Sequence, residues 1–256
     1  VLSLRGVEKA FGGAAPVLAP VDLDIDEGEF VTLLGPSGCG KTTLLNLFAG
    51  LLAPTRGSIR WWGSGRPGRD AGRRLAYVFQ SPTLMPWARV DTNVRLPLDL
   101  AAADPAAAAA TVATALDQVG LGGFARAYPR ELSGGMQMRV SIARARVTAP
   151  SLLLMDEPFG ALDEFSRERL DSELALLAHQ RRLTVAFVTH SIAEAVFLST
   201  RIVVMGARPG RVLDEVAVDA AFPRNDDWRT APEFARIARR ISACVRAAGE
   251  GFVDAR

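Results

Sequence analysis

Residues 35–42 read Gly-Pro-Ser-Gly-Cys-Gly-Lys-Thr, after the apolar run Phe30–Leu34 and before the helix-like run Lys41–Ala49 closed by Gly50. The stretch fits G-x-x-x-x-G-K-[ST] in full. The alternative is a chance Gly-rich turn, and the strand before it and helix after it speak against that. Glycines let the backbone N–H groups turn inward around phosphate oxygens, and a helix N-terminus adds positive potential. Gly35, Pro36, Ser37, Gly38, Cys39, Gly40, Lys41, Thr42 and Thr43 are therefore the candidates for binding a nucleotide. Lys9 and Lys41 are the only lysines in a chain whose other basic residues are arginines, so a lysine at this position is informative. Lys41 is placed to reach the β- and γ-phosphates, and the Thr42 hydroxyl to hold magnesium.

The rest of the chain supplies a frame for such a loop. Val1–Val7, Val21–Ile25, Phe30–Leu34, Ser58–Trp62 and Leu75–Phe79 read as strands, with a Gly- and Arg-rich loop over Gly63–Arg74. From about Ala88 to Thr148 helical signals dominate. Asp104-Pro105 predicts an N-cap and first-turn proline before an alanine-rich helix reaching about Val119, and Ser133 predicts the start of another. Ser151–Met155 and Thr184–Thr189 are short apolar runs of the buried parallel kind. Arg201–Met205 and Arg211–Val218 flank Pro209-Gly210 as a hairpin. A last helix from Ala231 puts Phe234, Ile237 and Ile241 on one face, with Arg236, Arg239 and Arg240 mostly off it as a solvated face. The expected architecture is a parallel α/β core interrupted by a helical insert.

Three further groups carry chemistry. The apolar run LLLM ends in Asp156 and then Glu157. A carboxylate at the carboxyl end of a strand beside a phosphate loop is the expected magnesium holder, and the next one a candidate general base. An acidic turn without a role is the alternative. His190 follows Thr184–Thr189 at a second strand end; a lone histidine is more often structural, and His179 is read that way. Ser133-Gly134-Gly135 opens a helix and offers a second anion grip. One nucleotide does not need two grips from one chain, so a two-fold dimer, with Ser133 reaching the other copy's γ-phosphate, is the economical reading.

These elements, in this order, closely resemble the ATP-binding subunits of ABC transporters over nearly the whole chain. GPSGCGKT is the Walker A loop, LSGGM the signature, LLLMDEP the Walker B strand with its glutamate, Gly160–Asp163 the D-loop and His190 the switch histidine. Gln80 corresponds to the Q-loop glutamine, implied to touch magnesium and water. Phe11 looks like the aromatic that stacks on adenine, although an aromatic at a strand end is more often core. The resemblance implies a P-loop NTPase (RecA-like) α/β core with an N-terminal antiparallel β subdomain and an inserted α-helical subdomain. The core is expected over 1–84 and 150–220, the helical part over 85–149 and a C-terminal extension over 221–256. It also implies two copies, or this chain and a paralogous one, closing head-to-tail around two Mg-ATP. Glu157 would activate water, with His190 and Gln80 organising it. The sequence departs from the family at Met138, usually glutamine, and at Ser191, often aspartate. Neither removes one of the groups named above.

PTLMPW, the Ala207–Arg211 turn and PEFARIARRI look like the ATPases of nitrate, sulfonate and taurine importers. That implies an importer on the cytoplasmic face of a bacterial inner membrane, permease subunits contacted near Met85, Pro86 and Trp87, and a periplasmic solute-binding protein acting indirectly. Composition agrees with this reading. A net charge of +2 is too small to imply nucleic acid, and no apolar run approaches the roughly 18 residues of a span, so a partner must supply the membrane. Cys39 and Cys244 fit neither a metal spacing nor a disulfide framework, which predicts a reducing compartment, and no signal peptide is read. For Met85, Pro86 and Trp87 a buried loop is the competing reading. The rival functions are an exporter ATPase and a soluble ABC ATPase of repair or translation.

Overall fold

The computed structural model describes residues 1–12, 15–63, 74–160 and 162–250, with side chains described to 247. Most of the loop expected over Gly63–Arg74 therefore lies outside the described residues, as do Gly13 and Ala161.

Nine strands and eight α-helices are assigned among the described residues. Strands β1 (Leu2–Lys9), β2 (Leu18–Ile25) and β4 (Arg56–Trp61) form a three-stranded antiparallel sheet in the order β2-β1-β4. The second strand begins three residues earlier than its alternation suggests, because Leu18 pairs with Lys9 ahead of Pro20. The second sheet has six strands. It combines β3 (Phe30–Leu34), β5 (Leu75–Val78), β6 (Leu152–Asp156), β7 (Thr184–Thr189), β8 (Arg201–Gly206) and β9 (Arg211–Ala217) in the order β5-β6-β7-β3-β8-β9. Its first five strands are parallel, and β9 returns antiparallel to β8 as the expected hairpin.

The near-continuous apolar character of these strands has a direct cause. Leu152 and Leu154 face a core shared with helix α1 (Lys41–Phe48) and the three-stranded sheet. Leu153 and Met155, from the same strand, face the opposite core. That core includes Leu170, Leu174, Ala175 and Ala178 of α5 (Glu164–Arg181) and Phe197 of α6 (Ile192–Leu198). Both faces of the sheet are covered, so period-2 alternation gives way to apolar runs. Of helix α5 the sequence reading has only the polar end around His179. Its apolar positions recur at helical spacing, but charged and small residues surround them and blur the stripe.

Between β5 and β6 the chain builds a third core from α2 (Val90–Leu100), α3 (Pro105–Gln118) and α4 (Gly134–Arg146). Asp104 caps α3 as expected, its side chain accepting from the N–H of Ala107 at 2.9 Å, with Pro105 at the first helical position. After β9 come α7 (Asp226–Thr230) and α8 (Pro232–Glu250). On α8, Ile237 and Ile241 are buried, Phe234 packs beside them, and Arg236, Arg239 and Arg240 are exposed, as the periodicity predicts.

Candidate active site

Four segments leave the same edge of the six-stranded sheet. Leu34 of β3 is in register with Thr189 of β7 and Val204 of β8, Asp156 of β6 with Val188, and Val78 of β5 with Met155. The loop at 35–40, the Asp156-Glu157 pair and His190 therefore emerge side by side at the carboxyl ends of parallel strands, where open α/β sheets bind ligands. Gln80 is at this edge too, but β5 ends at Val78, so Gln80 lies two residues beyond the strand and is exposed.

The loop is held in its curve by what glycine lacks. Gly38 and Gly40 have φ of +78° and +91°, a region that L side chains rarely adopt. A Cβ on Gly35 would strike the carbonyl oxygen of Met205, and one on Gly40 would lie 2.6 Å from Cδ2 of Leu18. Pro36, Ser37 and Gly38 are exposed, whereas Cys39 is fully buried, and burial pushes its thiol up. Lys41 is 5% exposed; its Nζ donates to the carbonyl oxygens of Gly35 at 2.8 Å and Pro36 at 3.1 Å. Thr42 and Thr43 follow in the first turn of α1, with Thr42 exposed and Thr43 half-buried.

Two oxygen ligands meet beside this loop. Oγ1 of Thr42 donates to Oδ1 of Asp156 at 3.1 Å. Burial pushes the Asp156 carboxyl up, and the Thr42 hydroxyl works against that rise. The pair fits magnesium, which binds through one or two protein oxygens and completes its shell with phosphate and water. Among the described residues no group of three or more His, Cys, Asp or Glu side chains could form an all-protein cage.

Glu157 has a left-handed backbone, φ +41°, and its N–H donates to the Val188 carbonyl at 2.9 Å. The anchored turn places its two carboxylate oxygens against different partners. Oε2 is 3.3 Å from Nδ1 of His190, and Oε1 is 3.9 Å from Nζ of Lys41. A half-exposed histidine, a partly shielded carboxylate and a buried lysine thus converge at the mouth of the loop.

Sequence reasoning missed the side chains behind this cluster. Thr189, before His190, donates through Oγ1 to Oε2 of Glu194, and Nε of Arg167 is 3.5 Å from Oε1 of the same carboxylate. The available signals were an acid four residues after His190 and an arginine four after Asp163. Both are ordinary features of a charged helix.

Other expected residues are placed apart. Ser133 caps α4, accepting from the N–H of Met136 at 3.3 Å, and with Gly134 it is exposed. A Cβ on Gly135 would lie 3.7 Å from Cδ2 of Leu162, so the start of α4 neighbours the segment after Glu157. Phe11 is 46% exposed with Nζ of Lys9 4.9 Å from its ring centre, so it is not a core aromatic. Pro86 and Trp87 are exposed, Trp87 by 76%, whereas Met85 is half-buried and Leu84 packs on the helical core. His179 stacks on Phe222 with ring centres 5.4 Å apart, in keeping with a structural role. Met138 is buried in the core beneath β6, and Ser191 caps α6 by accepting from the N–H of Glu194 at 3.3 Å.

Comparison with known proteins shows the family of the chain. A family model described as ABC transporter matches residues 18–160. The aliphatic sulfonates import ATP-binding protein SsuB of Bacillus licheniformis is 42% identical, over 94% of this chain and 92% of the relative. SsuB 1 of Pseudomonas savastanoi pv. phaseolicola is 41% identical, over 93% and 92%. Among solved structures, the ATP-binding cassette MJ0796, a dimer in a post-hydrolysis state bound to ADP and Pi, superposes with a TM-score of 0.75 at 32% identity, covering 86% of this chain and all of that one.

Proposed function

The chain belongs to the ABC transporter family, an ATP-hydrolysing cassette, and from that premise we propose that it drives import of a small sulfonate-like anion as a head-to-tail dimer. The observation that carries the catalytic part is the convergence of Lys41, Glu157 and His190 at the mouth of the phosphate loop.

In this reading the backbone N–H groups of residues 35–42 receive the phosphates, and Lys41 exchanges its loop carbonyls for β- and γ-phosphate oxygens. Phe11 offers its ring to adenine. Thr42 and Asp156 would hold magnesium, with Gln80 beside them. Held there, magnesium would supply neutralisation of the phosphate charge. Glu157 accepts a proton from the attacking water as its oxygen bonds to the γ-phosphorus and the bond to the β-phosphate oxygen breaks, leaving ADP and phosphate. His190, in contact with the Glu157 carboxylate, orients it and the γ-phosphate. Ser133, Gly134 and Gly135 grip the γ-phosphate held by the second copy, in keeping with the exposure of Ser133 and Gly134 at the start of α4.

No described helix is long and apolar enough to cross a membrane, so permease subunits are needed to carry the solute. Their contact is proposed at Met85, Pro86 and Trp87, in the segment that follows Phe79 and Thr83, two residues lining a cleft of about 360 Å³ with Leu96, Pro97 and Leu100. Phe79 and Leu100 are also exposed, and such exposed apolar side chains favour a protein partner. In this reading the chain works on the cytoplasmic face of the membrane, with a periplasmic binding protein choosing the solute. The test is co-purification with two integral membrane proteins and sulfonate uptake in a deletion strain. ATPase stimulation by DNA or ribosomes, without membrane partners, would sink the importer reading.

A further inference from the structure

The residues that hold Glu157 against His190 belong to neither motif. After Glu157 the Gly160 N–H donates to the Glu157 carbonyl at 3.1 Å, closing a turn, and the Leu162 N–H donates to the Phe159 carbonyl at 3.1 Å. Arg167 ties down this segment: Nη2 donates to the Leu162 carbonyl at 2.8 Å, and Nε adds a second bond to the Phe159 carbonyl at 3.3 Å. The same Nε lies 3.5 Å from Oε1 of Glu194. Glu194 is only 4% exposed, and its other oxygen takes the hydroxyl hydrogen of Thr189. Thr189 in turn accepts from the Ser191 N–H at 2.9 Å, so the two residues flanking His190 are bonded to each other.

The chain of contacts therefore runs from the segment after Glu157, through Arg167 and Glu194, to the backbone on both sides of His190. A buried carboxylate is costly unless it is paired; Oε2 is hydrogen-bonded by Thr189, while Oε1 makes no hydrogen bond and faces Arg167 as an ion pair at 3.5 Å. We infer that Arg167 and Glu194 are positioning residues for ATP hydrolysis: their ion pair fixes the separation of the Glu157 carboxylate and the His190 ring. This rests on the reading of Glu157 and His190 as the hydrolytic pair. Neither positioning residue touches substrate; both act through the residues that do.

The experiment measures steady-state ATP hydrolysis by the full chain for Glu194→Gln, Arg167→Lys, Arg167→Ala and Glu157→Gln, and for the double variant Glu194→Gln/Glu157→Gln. Displacing a reacting group by about 1 Å costs on the order of a hundredfold in rate. The expected result is a fall in kcat of about tenfold to a hundredfold in Glu194→Gln and Arg167→Ala, with KM for ATP within about twofold of the parent. Arg167→Lys keeps the charge but loses the planar fork that presents Nε and Nη2 as separate donors, so it recovers part of the rate. In the double variant the Glu194 substitution adds less than about twofold to the loss from Glu157→Gln, because the group it positions is already gone. Hydrolysis within twofold of the parent in both Glu194→Gln and Arg167→Ala overturns the inference. So does a loss that appears in KM instead of kcat, full additivity in the double variant, or failure of all the Arg167 and Glu194 variants to fold. Normal hydrolysis by Glu157→Gln would instead overturn the reading of the hydrolytic pair itself.

Discussion

The Glu157 carboxylate lies 3.3 Å from Nδ1 of His190, although the residues are 33 positions apart in the chain. The backbone bond from the Glu157 N–H to the Val188 carbonyl brings them together, tying the end of β6 to the end of β7. A base needs to be within hydrogen-bond reach of the proton it takes, and this pair presents a carboxylate at the mouth of the phosphate loop. Glu157→Gln should bind ATP yet hydrolyse it about a hundredfold or more slowly, and should persist as an ATP-bound dimer on gel filtration. Normal turnover would remove Glu157 from the role of base.

Lys41 is buried against the carbonyls of Gly35 and Pro36 within the loop. Hydrogen bonds to charged groups contribute about 1.5–3 kcal/mol, so Lys41→Ala should weaken ATP binding by roughly tenfold to a hundredfold. Titration with a fluorescent ATP analogue measures this; unchanged affinity and turnover would refute the loop assignment.

Trp87 stands in solvent at 76% exposure while Leu84, three residues earlier, packs into the helical core. Truncating an aromatic anchor at an interface typically costs about 2 kcal/mol or more, roughly thirtyfold in affinity. Trp87→Ala should therefore leave ATP hydrolysis by the isolated chain intact and weaken its capture by the membrane subunits. A pull-down from detergent-solubilised membranes reads this out, and undiminished capture would exclude Trp87 from the contact.

Asp171 is 1% exposed and faces Arg229 at 3.3 Å. Burial first, and the neighbouring Glu194 carboxylate second, push its carboxyl up to about 7, with Arg229 and Arg167 opposing them. The ordinary aspartate value is 3.8, so between those values the folded chain holds a proton that the unfolded chain has released. Asp171 thus favours folding most in acid, and its contribution falls as pH rises toward 7, by at most about 1.4 kcal/mol per pH unit. Urea unfolding of the parent and of Asp171→Asn from pH 4.5 to 8 should show the variant gaining relative stability up to about pH 7 and levelling above it. A difference independent of pH would contradict this.

Arg224 is 6% exposed, and its guanidinium donates to the carbonyls of Val196, Phe197, Ser199, Val218 and Ala220. Its desolvation pulls its pKa down to about 10, which still leaves it charged at neutral pH. Removing the donors strands carbonyls at the end of α6 and just after β9, so Arg224→Ala should cost about 2–4 kcal/mol of unfolding free energy. Chemical denaturation measures it, and a loss below about 0.5 kcal/mol would mean water replaces the guanidinium.

The sequence by itself determined the chemistry that is local to the chain. GPSGCGKT places its glycines, lysine and threonine by spacing alone, because a strand, a tight loop and a helix N-terminus are contiguous. Asp156 and His190 were legible because each follows an apolar run, and a buried parallel strand is readable as a run whatever its neighbours. The helix at Pro105–Gln118, its cap and the closing hairpin were legible for the same reason: each depends on a few adjacent residues. Tertiary structure decided everything that joins distant segments. Strand order brings Glu157 to His190, and packing brings Arg167 to Glu194; no periodicity encodes a contact between two charged residues on different helices. It also chose between alternatives that composition leaves open, leaving Phe11 and Trp87 at the surface and burying Met138. Burial is set by the elements that pack over a side chain, and those arrive from elsewhere in the fold.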